Sequence, residues 1–561
     1  MSSEKGTGSA DTGSWRKVDT EASESGTYHA HVEPTPSVED IQSAAVRADK
    51  PEGSEPHNSV PLVFACLMLG MLLSSLGQMI FSTALPTLVG DLGGVENMSW
   101  VITIFLMAMT IGMPIYGKMG DQVGRKPLYL FAVSVFIIGS IIGALAQNMT
   151  TMIVARGIQG VGGGGLMVLS QAIIADVVPA RQRGKYMGLM GAVFGLSSVL
   201  GPLLGGFFTD GPGWRWALWF NVPIGIIVLI MTSVFLKLPK RGSGAKADIG
   251  GTITMAVATA AIILTATWGG RKYDWTSPTI LILIAAAVVS AVLFVFIENR
   301  AESPLIPMHL FKVRNFVLTT AAGLIVGMTM FGSLGYLPTY IQMTHGMSPT
   351  RAGLMMIPMM AGMIVTSTVS GQYVTKTGNY KWFPVVGLLV TAAAMFFIGQ
   401  LNSTDSLTHL GLLLALFGVG LGMVMQILVL IVQNAFPITM VGTATASNNF
   451  FRQIGGSLGA AVVGSIFTGR LTDFIGERLP AALKSMGPAG QKYAQAFAGG
   501  GGEGHLTPDA VKHLPDALRQ VIVGSYNDAL VPVLGWMAPA AVVAALILAF
   551  VRSERLKESV E

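Results

Sequence analysis

The chain has 561 residues, of which 51% are hydrophobic and only 12% are charged, and its formal net charge is +5. Because an ordinary soluble domain is about 25% charged, this composition excludes a soluble globular protein and requires lipid around much of the folded surface. A single cysteine, Cys66, excludes a disulfide framework.

The first 59 residues are rich in Ser, Glu, Gly, Thr and Pro, and this composition predicts a disordered tail over residues 1–59. The first apolar run begins only at Val60, which is too far from Met1 for a cleavable signal peptide. The pair His29 and His31 in the tail lacks a further cluster of ligands. We therefore predict no metal site there.

Fourteen apolar runs follow, each long enough to cross a bilayer. They lie at about residues 60–82, 98–117, 127–147, 152–177, 185–208, 216–237, 249–269, 277–297, 315–342, 352–374, 382–400, 408–434, 443–468 and 528–551. This pattern predicts an all-α integral membrane protein with fourteen transmembrane helices.

The loops between these runs differ in charge from one side to the other. One set of loops, together with the C-terminal tail over 552–561, holds eighteen Lys and Arg residues, whereas the short loops of the other set hold four. Positively charged loops stay in the cytoplasm, so we expect both termini to be cytoplasmic. The positive charge thus reflects membrane topology, and no nucleic-acid partner is expected.

The loop between the last two runs, over residues 469–527, is longer than any other. Its segment Thr507-Pro508-Asp509 is typical of a helix start, and apolar residues then recur at helical spacing from Val511 to Val521. The pattern predicts an amphipathic helix at the outer membrane surface. A role in substrate gating is the alternative.

Two similar segments each follow the second run of a block of six. They read Gly117-Lys-Met-Gly-Asp121-Gln-Val-Gly124-Arg125-Lys126-Pro127 and, as a weaker echo, Gly371-Gln-Tyr-Val-Thr-Lys376-Thr-Gly378-Asn-Tyr-Lys381. Such an echo is typical of transporters built from two parallel halves. We therefore expect one six-helix half over 60–237, an inserted helix pair over 238–300 and a second six-helix half over 301–551.

Further motifs lie at matching places along the chain. They are Arg156-x-x-Gln159-Gly160-x-Gly162 in the fourth run, Gly201-Pro202-Leu-Leu-Gly205-Gly206 in the fifth, Trp214-Arg215-Trp216 and Phe220-Asn221-Val-Pro223 around the start of the sixth, and Phe451-Arg452-Gln453-Ile-Gly455-Gly456 in the thirteenth. Together with the 117–127 segment, they resemble the motifs of the major facilitator superfamily. The resemblance is closest to the fourteen-span drug:proton antiporters of the EmrB/QacA type and covers about residues 60–551.

The resemblance implies the major facilitator fold, with two six-helix halves and two inserted helices, in the plasma membrane of a bacterium. It also implies export of drug-like amphipathic small molecules by proton antiport through alternating access, without a cofactor. The Gly162–Gly165 run lacks the Lys-Ser/Thr that completes a phosphate loop. No nucleotide is therefore expected, and an ion gradient would supply the energy.

The 117–127 segment places Asp121 and Arg125 between two helix ends at the expected cytoplasmic face. Asp121 can hold the N-terminus of a neighbouring helix through its dipole, or pair with a basic side chain. The resemblance implies that Gly117, Asp121, Gly124 and Arg125 form a gate that stabilises the outward-open state. The alternative is a solvated loop that serves only membrane orientation.

The glycines and proline of the fifth run, Gly201, Pro202, Gly205 and Gly206, kink and thin that helix so that a partner can approach closely. The resemblance implies that this packing limits leak in antiporters.

Two arginines, Arg156 and Arg452, lie inside predicted spans. A charge there costs at least about 2.5 kcal/mol on insertion scales and usually marks a transport pathway, although snorkelling to the surface is the alternative. Gln159 and Gln78 are polar residues that can solvate Arg156. These four residues are our candidates for the transport cavity and for coupling.

One position departs from the family pattern. Many relatives carry a carboxylate in the first span, and Gly77 stands at that position here, at a depth similar to that of Arg156. The carboxylates Asp176, Asp210 and Glu298 all fall near the ends of predicted spans. A cavity with arginine and no acid favours anionic or neutral substrates.

Three functions remain open at this point. The leading hypothesis is an exporter of amphipathic small molecules coupled to protons, and the alternative is an exporter of anionic metabolites or lipids with atypical coupling. A non-transporting membrane receptor is a remote third. An enzyme is not expected, because no acid/base or metal constellation lies within the spans.

Overall fold

The computed structural model of the chain describes residues 60–94, 97–238, 248–270, 272–488, 490, 493, 508–554 and 556. Within these residues the regular secondary structure is helical, apart from one isolated bridge between Gly269 and Tyr273. The predicted disordered tail over 1–59 lies outside the described residues.

Thirteen helices in the described residues are long and apolar enough to cross a membrane, and one shorter apolar helix lies between the tenth and the eleventh of them. In chain order they are α1 (Val60–Met79), α2 (Met98–Val123), α3 (Arg125–Ala144), α4 (Met149–Val177), α5 (Ala180–Thr209), α6 (Arg215–Phe235), α7 (Ile249–Trp268), α8 (Pro278–Glu298), α9 (Arg314–His345), α10 (Thr350–Thr377), α11 (Trp382–Ile398), α12 (Leu407–Asn434), α13 (Val441–Ser485) and α14 (Asp516–Ala549). They occupy the places of the fourteen predicted runs and confirm the all-helical membrane fold class.

Several of these spans are interrupted. Helix α1 ends at Met79, and after a turn at Ile80 a further helix covers Phe81–Leu92. Short breaks within α6, α9 and α10 precede Pro223, Pro338 and Pro358. A proline lacks the backbone N–H that would continue the preceding turn, so it favours such a break and then starts the next helical segment.

The helix ends around the long predicted loop differ from the expectation. Helix α13 continues to Ser485 rather than residue 468, and α14 begins at Asp516 rather than 528. Each extension contacts the other helix, since the ring centroids of Phe467 and Tyr526 are 4.8 Å apart and Arg478 pairs with Asp528 at 2.7 Å. Charged residues lower the hydropathy there without ending the helix.

The single amphipathic helix predicted after Thr507 is wrong. Thr507 lies outside the described residues, a short helix covers only Pro508–Lys512, and Leu518 belongs to α14. Pro515 is the N-cap residue of α14, because its ring fits the start of a helix but not the interior. The side chains of Val511 and Leu518 are buried within the protein and not displayed to a membrane surface.

Glycines place the two similar sequence segments in equivalent positions. A Cβ atom at Gly117 of α2 would lie 2.7 Å from the carbonyl oxygen of Gly442 in α13, and one at Gly371 of α10 would overlap the carbonyl oxygen of Gly184 in α5. Only glycine allows helix backbones this close. In both pairs, the second helix of one predicted half crosses the fifth helix of the other.

Helices α7 and α8, which lie where the inserted pair is predicted, pack against each other. Helix α7 also contacts α2 and α13, whereas most of the α8 surface is exposed. The domain limits at 237 and 301 stay a prediction.

Candidate functional site

The segment that joins α2 to α3 is a single residue, Gly124, with φ of 105°. This left-handed backbone conformation is strained for a residue with a Cβ atom, which explains the glycine in the motif. The tight turn brings Asp121, at the end of α2, next to Arg125, at the start of α3. We call the end of the helices that carries these two residues the motif end, and the opposite end the distal end.

Asp121 binds the N-terminus of α13. Its carboxylate accepts hydrogen bonds from the backbone N–H of Gly442 at 3.1 Å and of Thr443 at 2.7 Å. It also accepts a hydrogen bond of 2.9 Å from the Thr443 hydroxyl. A carboxylate at this place satisfies free N–H groups of the first turn and meets the positive end of the helix dipole. The expectation that Asp121 holds a neighbouring helix therefore matches the geometry, and it pairs with a basic side chain as well.

Arg125 connects this contact to α4. Its guanidinium pairs with Asp121 at 2.7 Å and with Asp176 at 2.7 Å, and its side chain is fully buried. It also donates to the carbonyl oxygen of Ile438, just before α13, at 3.2 Å. We call Asp121, Arg125, Asp176 and Thr443 the latch.

The second predicted half carries a neutral version of the same contact. Thr375 follows Gly371 at the spacing by which Asp121 follows Gly117. Its hydroxyl accepts a hydrogen bond of 3.1 Å from the backbone N–H of Lys185 in α5. The two contacts are therefore equivalent in place but differ in charge.

Arg156 of α4 lies between two phenylalanine rings. Its guanidinium carbon is 4.4 Å from the ring centroid of Phe81 and 4.1 Å from that of Phe105. Nε donates to the carbonyl oxygen of Val101 at 3.1 Å, and Nη1 donates to the side chain of Gln159. Nη2 is buried without a hydrogen-bond partner. Cation–π contacts thus replace the ion pair that the family pattern would supply.

The other predicted neighbours of Arg156 contribute unequally. Gln159 extends the network by donating to the Ser140 hydroxyl at 2.9 Å. Gln78 makes no hydrogen bond to Arg156 in the part of the chain that the structure describes. Of the predicted solvating groups, Gln159 alone is therefore seen in contact with the arginine.

Gly77 packs against aromatic rings. A Cβ atom there would lie 2.8 Å from Cζ of Phe136 and 3.7 Å from Cζ of Phe105. Phe105 therefore contacts both this position and the guanidinium of Arg156. The aromatic rings occupy the space into which a carboxylate at position 77 would extend.

Arg452 of α13 belongs to a second polar network. Its Nη2 donates to Oδ1 of Asn449 at 2.6 Å, and Nδ2 of Asn449 donates to Oε1 of Gln171 in α4 at 2.7 Å. Nε2 of Gln433 in α12 donates to the carbonyl oxygen of Gln171 at 3.1 Å. We call these four residues the amide cluster. It joins a helix of the first predicted half to two helices of the second.

The amide cluster has unused hydrogen-bonding capacity. Nη1 of Arg452, Nε2 of Gln171 and Oε1 of Gln433 are all buried without a hydrogen-bond partner. Buried polar atoms are nearly always paired, so such atoms mark places for water or a ligand. The cluster can therefore bind a polar group between the two sets of helices.

The two intramembrane arginines do not share one site. Gln171 lies fifteen residues beyond Arg156 along α4, which corresponds to about 22 Å of helix. Arg156 therefore lies towards the distal end, and the amide cluster lies nearer the latch. The single arginine-lined cavity expected from the sequence is replaced by two separate networks.

The four motif residues of α5 differ in how tightly they pack. A Cβ atom at Gly201 would overlap Met79 at the end of α1, whereas one at Gly206 would meet only Thr350 at 3.7 Å. The carbonyl oxygen of Gly205 accepts a hydrogen bond from the Thr209 hydroxyl. Pro202 lies inside the helix. Close approach to α1 therefore depends on Gly201.

Sequence reasoning missed Thr443, Gln171 and Asn449. The neutral amides Gln159 and Gln78 were predicted beside Arg156, but no such partner was predicted beside Arg452. Asn449 lies three residues before Arg452, on the same helix face. A search for any polar residue near an intramembrane arginine finds it.

Comparison with known proteins agrees with this architecture. Residues 67–460 match the family model of the Major Facilitator Superfamily. The chain is 35% identical to the multidrug transporter protein MdtP of Bacillus subtilis, over 82% of this chain and 86% of that protein. It is 32% identical to multidrug resistance protein 3 of Bacillus subtilis, over 90% of this chain and 97% of that protein.

A solved structure extends the comparison to the fold. The proton:xylose symporter XylE aligns with a TM-score of 0.55 at 17% identity, covering 89% of this chain and 97% of that one. At this identity the likeness concerns the fold alone. The chain therefore belongs to the Major Facilitator Superfamily and is a membrane transporter, not an enzyme.

Proposed function

We propose that this chain exports amphipathic small molecules across the plasma membrane of a bacterium by proton antiport. In this proposal the motif end and both termini lie in the cytoplasm, and the two sets of six helices alternate around the amide cluster. The relatives named multidrug transporters support export of drug-like compounds. The positively charged loops support the orientation.

The main structural support for this proposal is the set of contacts in the latch. Asp121 of the first predicted half caps α13 of the second, and Arg125 extends the contact to α4. Hydrogen bonds to charged groups contribute about 1.5–3 kcal/mol each, so the latch is strong enough to bias the two-state equilibrium of a transporter. While it holds, α2 and α13 stay together at the motif end, as an outward-open state requires.

Coupling export to protons requires a group that binds and releases a proton, and this group must lie elsewhere than beside Arg156. Within the described residues no carboxylate pairs with Arg156, whereas Asp121 and Asp176 lie at the motif end with side chains 5% and 9% exposed. Protonation of either carboxylate removes a charge from the latch and weakens it. We therefore propose the latch carboxylates as the coupling groups.

A second candidate function is export of anionic amphipathic molecules, such as metabolites or lipids. Arg156 and Arg452 are buried, each has an unpartnered guanidinium nitrogen, and neither pairs with a carboxylate in the described residues. A buried cation without a counter-ion attracts a negative ligand. This observation favours anions over permanent cations at the amide cluster.

Accumulation assays in a host stripped of its own exporters test the proposal. Cells with and without the chain are loaded with rhodamine 6G, a permanent cation, or with 8-anilinonaphthalene-1-sulfonate, an amphipathic anion. Each dye is followed with and without a protonophore. Protonophore-sensitive loss of either dye supports proton-driven export, and loss of the anion alone supports the second candidate. Equal retention of both dyes with and without the chain would contradict the proposal.

A further inference from the structure

A third buried arginine, Arg183, lies where α4 ends and α5 begins. It belongs to the first turn of α5 and is 5% exposed. Its Nε donates to the carbonyl oxygen of Val178 at 2.9 Å, and its Nη2 donates to that of Ala175 at 2.8 Å. Arg183 belongs to neither the latch nor the amide cluster, so its role is still to be assigned.

The sequence of this joint explains the two hydrogen bonds. The N–H group that would bond the carbonyl oxygen of Ala175 within α4 belongs to position 179, which is a proline and has none. The last carbonyl oxygens of a helix lack partners inside it and form the negative end of its dipole. Arg183 supplies both a donor and a positive charge there, and it thereby fixes the end of α4 to the first turn of α5.

The same end of α4 carries part of the latch. Asp176 follows Ala175 directly and pairs with Arg125 at 2.7 Å. Arg125 also donates to the carbonyl oxygen of Ala172 at 2.5 Å, and it pairs with Asp121 at 2.7 Å. The end of α4 therefore lies between two buried arginines, one from α3 and one from α5.

The first turns of α5 carry the contact with the second predicted half. Gly184 follows Arg183 directly, and a Cβ atom there would lie 2.8 Å from the carbonyl oxygen of Gly371 in α10. The next residue, Lys185, donates its backbone N–H to Thr375 at 3.1 Å. We call this crossing the α5–α10 contact. Because the two backbones touch, a movement at the start of α5 disturbs this contact.

We propose that Arg183 is a positioning residue that makes the latch and the α5–α10 contact open together. Two residues, Val178 and Pro179, join α4 to α5, and Arg183 prevents this joint from bending. When the pair of Asp176 with Arg125 weakens, the end of α4 can move, and Arg183 passes the movement to α5 as one rigid body. The inference rests on the proposed function, in which both contacts open towards the cytoplasm.

Distances between spin labels test this inference on the full chain in nanodiscs. The labels are attached to introduced cysteines in a Cys66→Ala background and measured by pulsed electron paramagnetic resonance. Met119→Cys with Thr439→Cys forms the latch pair, and Gln182→Cys with Thr377→Cys forms the α5–α10 pair. All four positions are exposed and lie beside the contact that they report.

Asp121→Asn is used to weaken the latch. In the labelled parent, we expect it to raise the open population of both pairs by about tenfold. In an Arg183→Gln background, it should raise the open population of the latch pair by the same factor but that of the α5–α10 pair by no more than about twofold. A purely structural role of Arg183 would alter the distances by itself but would not separate the two responses to Asp121→Asn.

Lys126→Gln is the matched control. Lys126 of α3 also donates to a backbone carbonyl oxygen, that of Ser233 in α6, at 2.9 Å, but it does not join α4 to α5. In this background both label pairs should respond to Asp121→Asn as in the parent.

Arg183→Lys tests the hydrogen bonds themselves. A lysine keeps the charge, but its single ammonium group reaches one of the two carbonyl oxygens less rigidly than the guanidinium fork does. The response of the α5–α10 pair should therefore lie between those of the parent and of Arg183→Gln. This variant keeps the test decisive if Arg183→Gln folds poorly.

The outcomes separate this inference from the proposed function. Equal opening of both pairs in the Arg183→Gln and Arg183→Lys backgrounds, or opening of the latch pair alone in the parent, would overturn the inference without contradicting the latch. Opening of neither pair in the parent would contradict the latch of the proposed function, and the inference would fail with it.

Discussion

The carboxylate of Asp121 accepts a hydrogen bond of 2.7 Å from the backbone N–H of Thr443, a residue 322 positions away in the chain. This bond joins the end of α2 to the first turn of α13 and thus connects the two predicted halves. The equivalent contact in the other half uses the neutral hydroxyl of Thr375. These two equivalent contacts at the motif end therefore differ in charge.

Removing the charge of Asp121 is expected to open the motif end. In Asp121→Asn the shape is kept, but the ion pair with Arg125 and the charge-assisted bonds to α13 are lost. Ser447→Cys, placed in a Cys66→Ala background, reports opening because Ser447 is fully buried. We expect alkylation of this cysteine by N-ethylmaleimide to be about tenfold faster, since tenfold corresponds to about 1.4 kcal/mol.

Thr375→Val is the matched control for this experiment. It removes a neutral hydrogen bond at the equivalent place and should change the alkylation rate by no more than about fivefold, because such a bond contributes about 1 kcal/mol or less. Equal rates in Asp121→Asn and in the parent would show that the latch does not hold the motif end closed.

Restoring a carboxylate at position 77 is expected to destabilise the protein. The added side chain of Gly77→Asp would clash with Phe136, whose Cζ lies 2.8 Å from the new Cβ atom, and overpacking of this kind costs about 1–3 kcal/mol. Thermal unfolding of the purified protein measures this loss. Gly77→Asp should cost less stability in a Phe136→Ala background than in the wild-type background, because the ring with which it would clash is then absent.

Gly90→Asp provides the comparison for that experiment, since no atom lies within 4 Å of a Cβ at Gly90. It should unfold at nearly the wild-type temperature. If Gly77→Asp alone is as stable as Gly90→Asp, the aromatic rings do not exclude a carboxylate from this position.

The two ends of the α5 motif should respond differently to alanine. Gly201→Ala would push α5 away from Met79 of α1, whereas Gly206→Ala meets only ordinary contact at 3.7 Å. We expect Gly201→Ala to collapse an imposed pH gradient faster in everted membrane vesicles, through leak, and Gly206→Ala to hold it like the wild type. Equal leak in both variants would mean that close packing at Gly201 does not seal the helices.

Arg452 is expected to make the transporter favour anionic over neutral substrates. Arg452→Gln removes the buried cation of the amide cluster and should raise the KM for the anion 8-anilinonaphthalene-1-sulfonate by about tenfold, while the KM for neutral Nile red changes little. Arg478→Gln serves as control, because Arg478 is 39% exposed and lies on the extension of α13. An equal rise for both dyes would assign Arg452 a structural role only.

Hydropathy predicted the membrane spans well but not the helix ends. A helix needs about twenty apolar residues to cross a bilayer, so the apolar runs locate the fourteen segments along the chain. Helix α13 continues well past its apolar part, where it makes contacts with α14 such as the ion pair of Arg478 with Asp528. Those contacts join distant parts of the chain and leave no local sequence signal.

The sites were predictable to different degrees. The spacing of Asp121, Gly124 and Arg125, through its resemblance to the family motif, identified two residues of the latch, whereas Asp176 and Thr443 reach them only through the packing of α4 and α13. The phenylalanine rings around Arg156 could not be predicted. Phe81 and Phe105 are ordinary apolar residues in apolar segments, and only the packing of α4 against its neighbours gives them that role.

Proton release in everted membrane vesicles tests the central claim most directly. Vesicles from a host without its own exporters are energised so that their interior becomes acidic, and rhodamine 6G, 8-anilinonaphthalene-1-sulfonate or Nile red is then added. Proton antiport predicts that at least one compound raises the internal pH in vesicles with the chain, and that Asp121→Asn abolishes this response. An internal pH that no compound changes would contradict the proposed proton-coupled export.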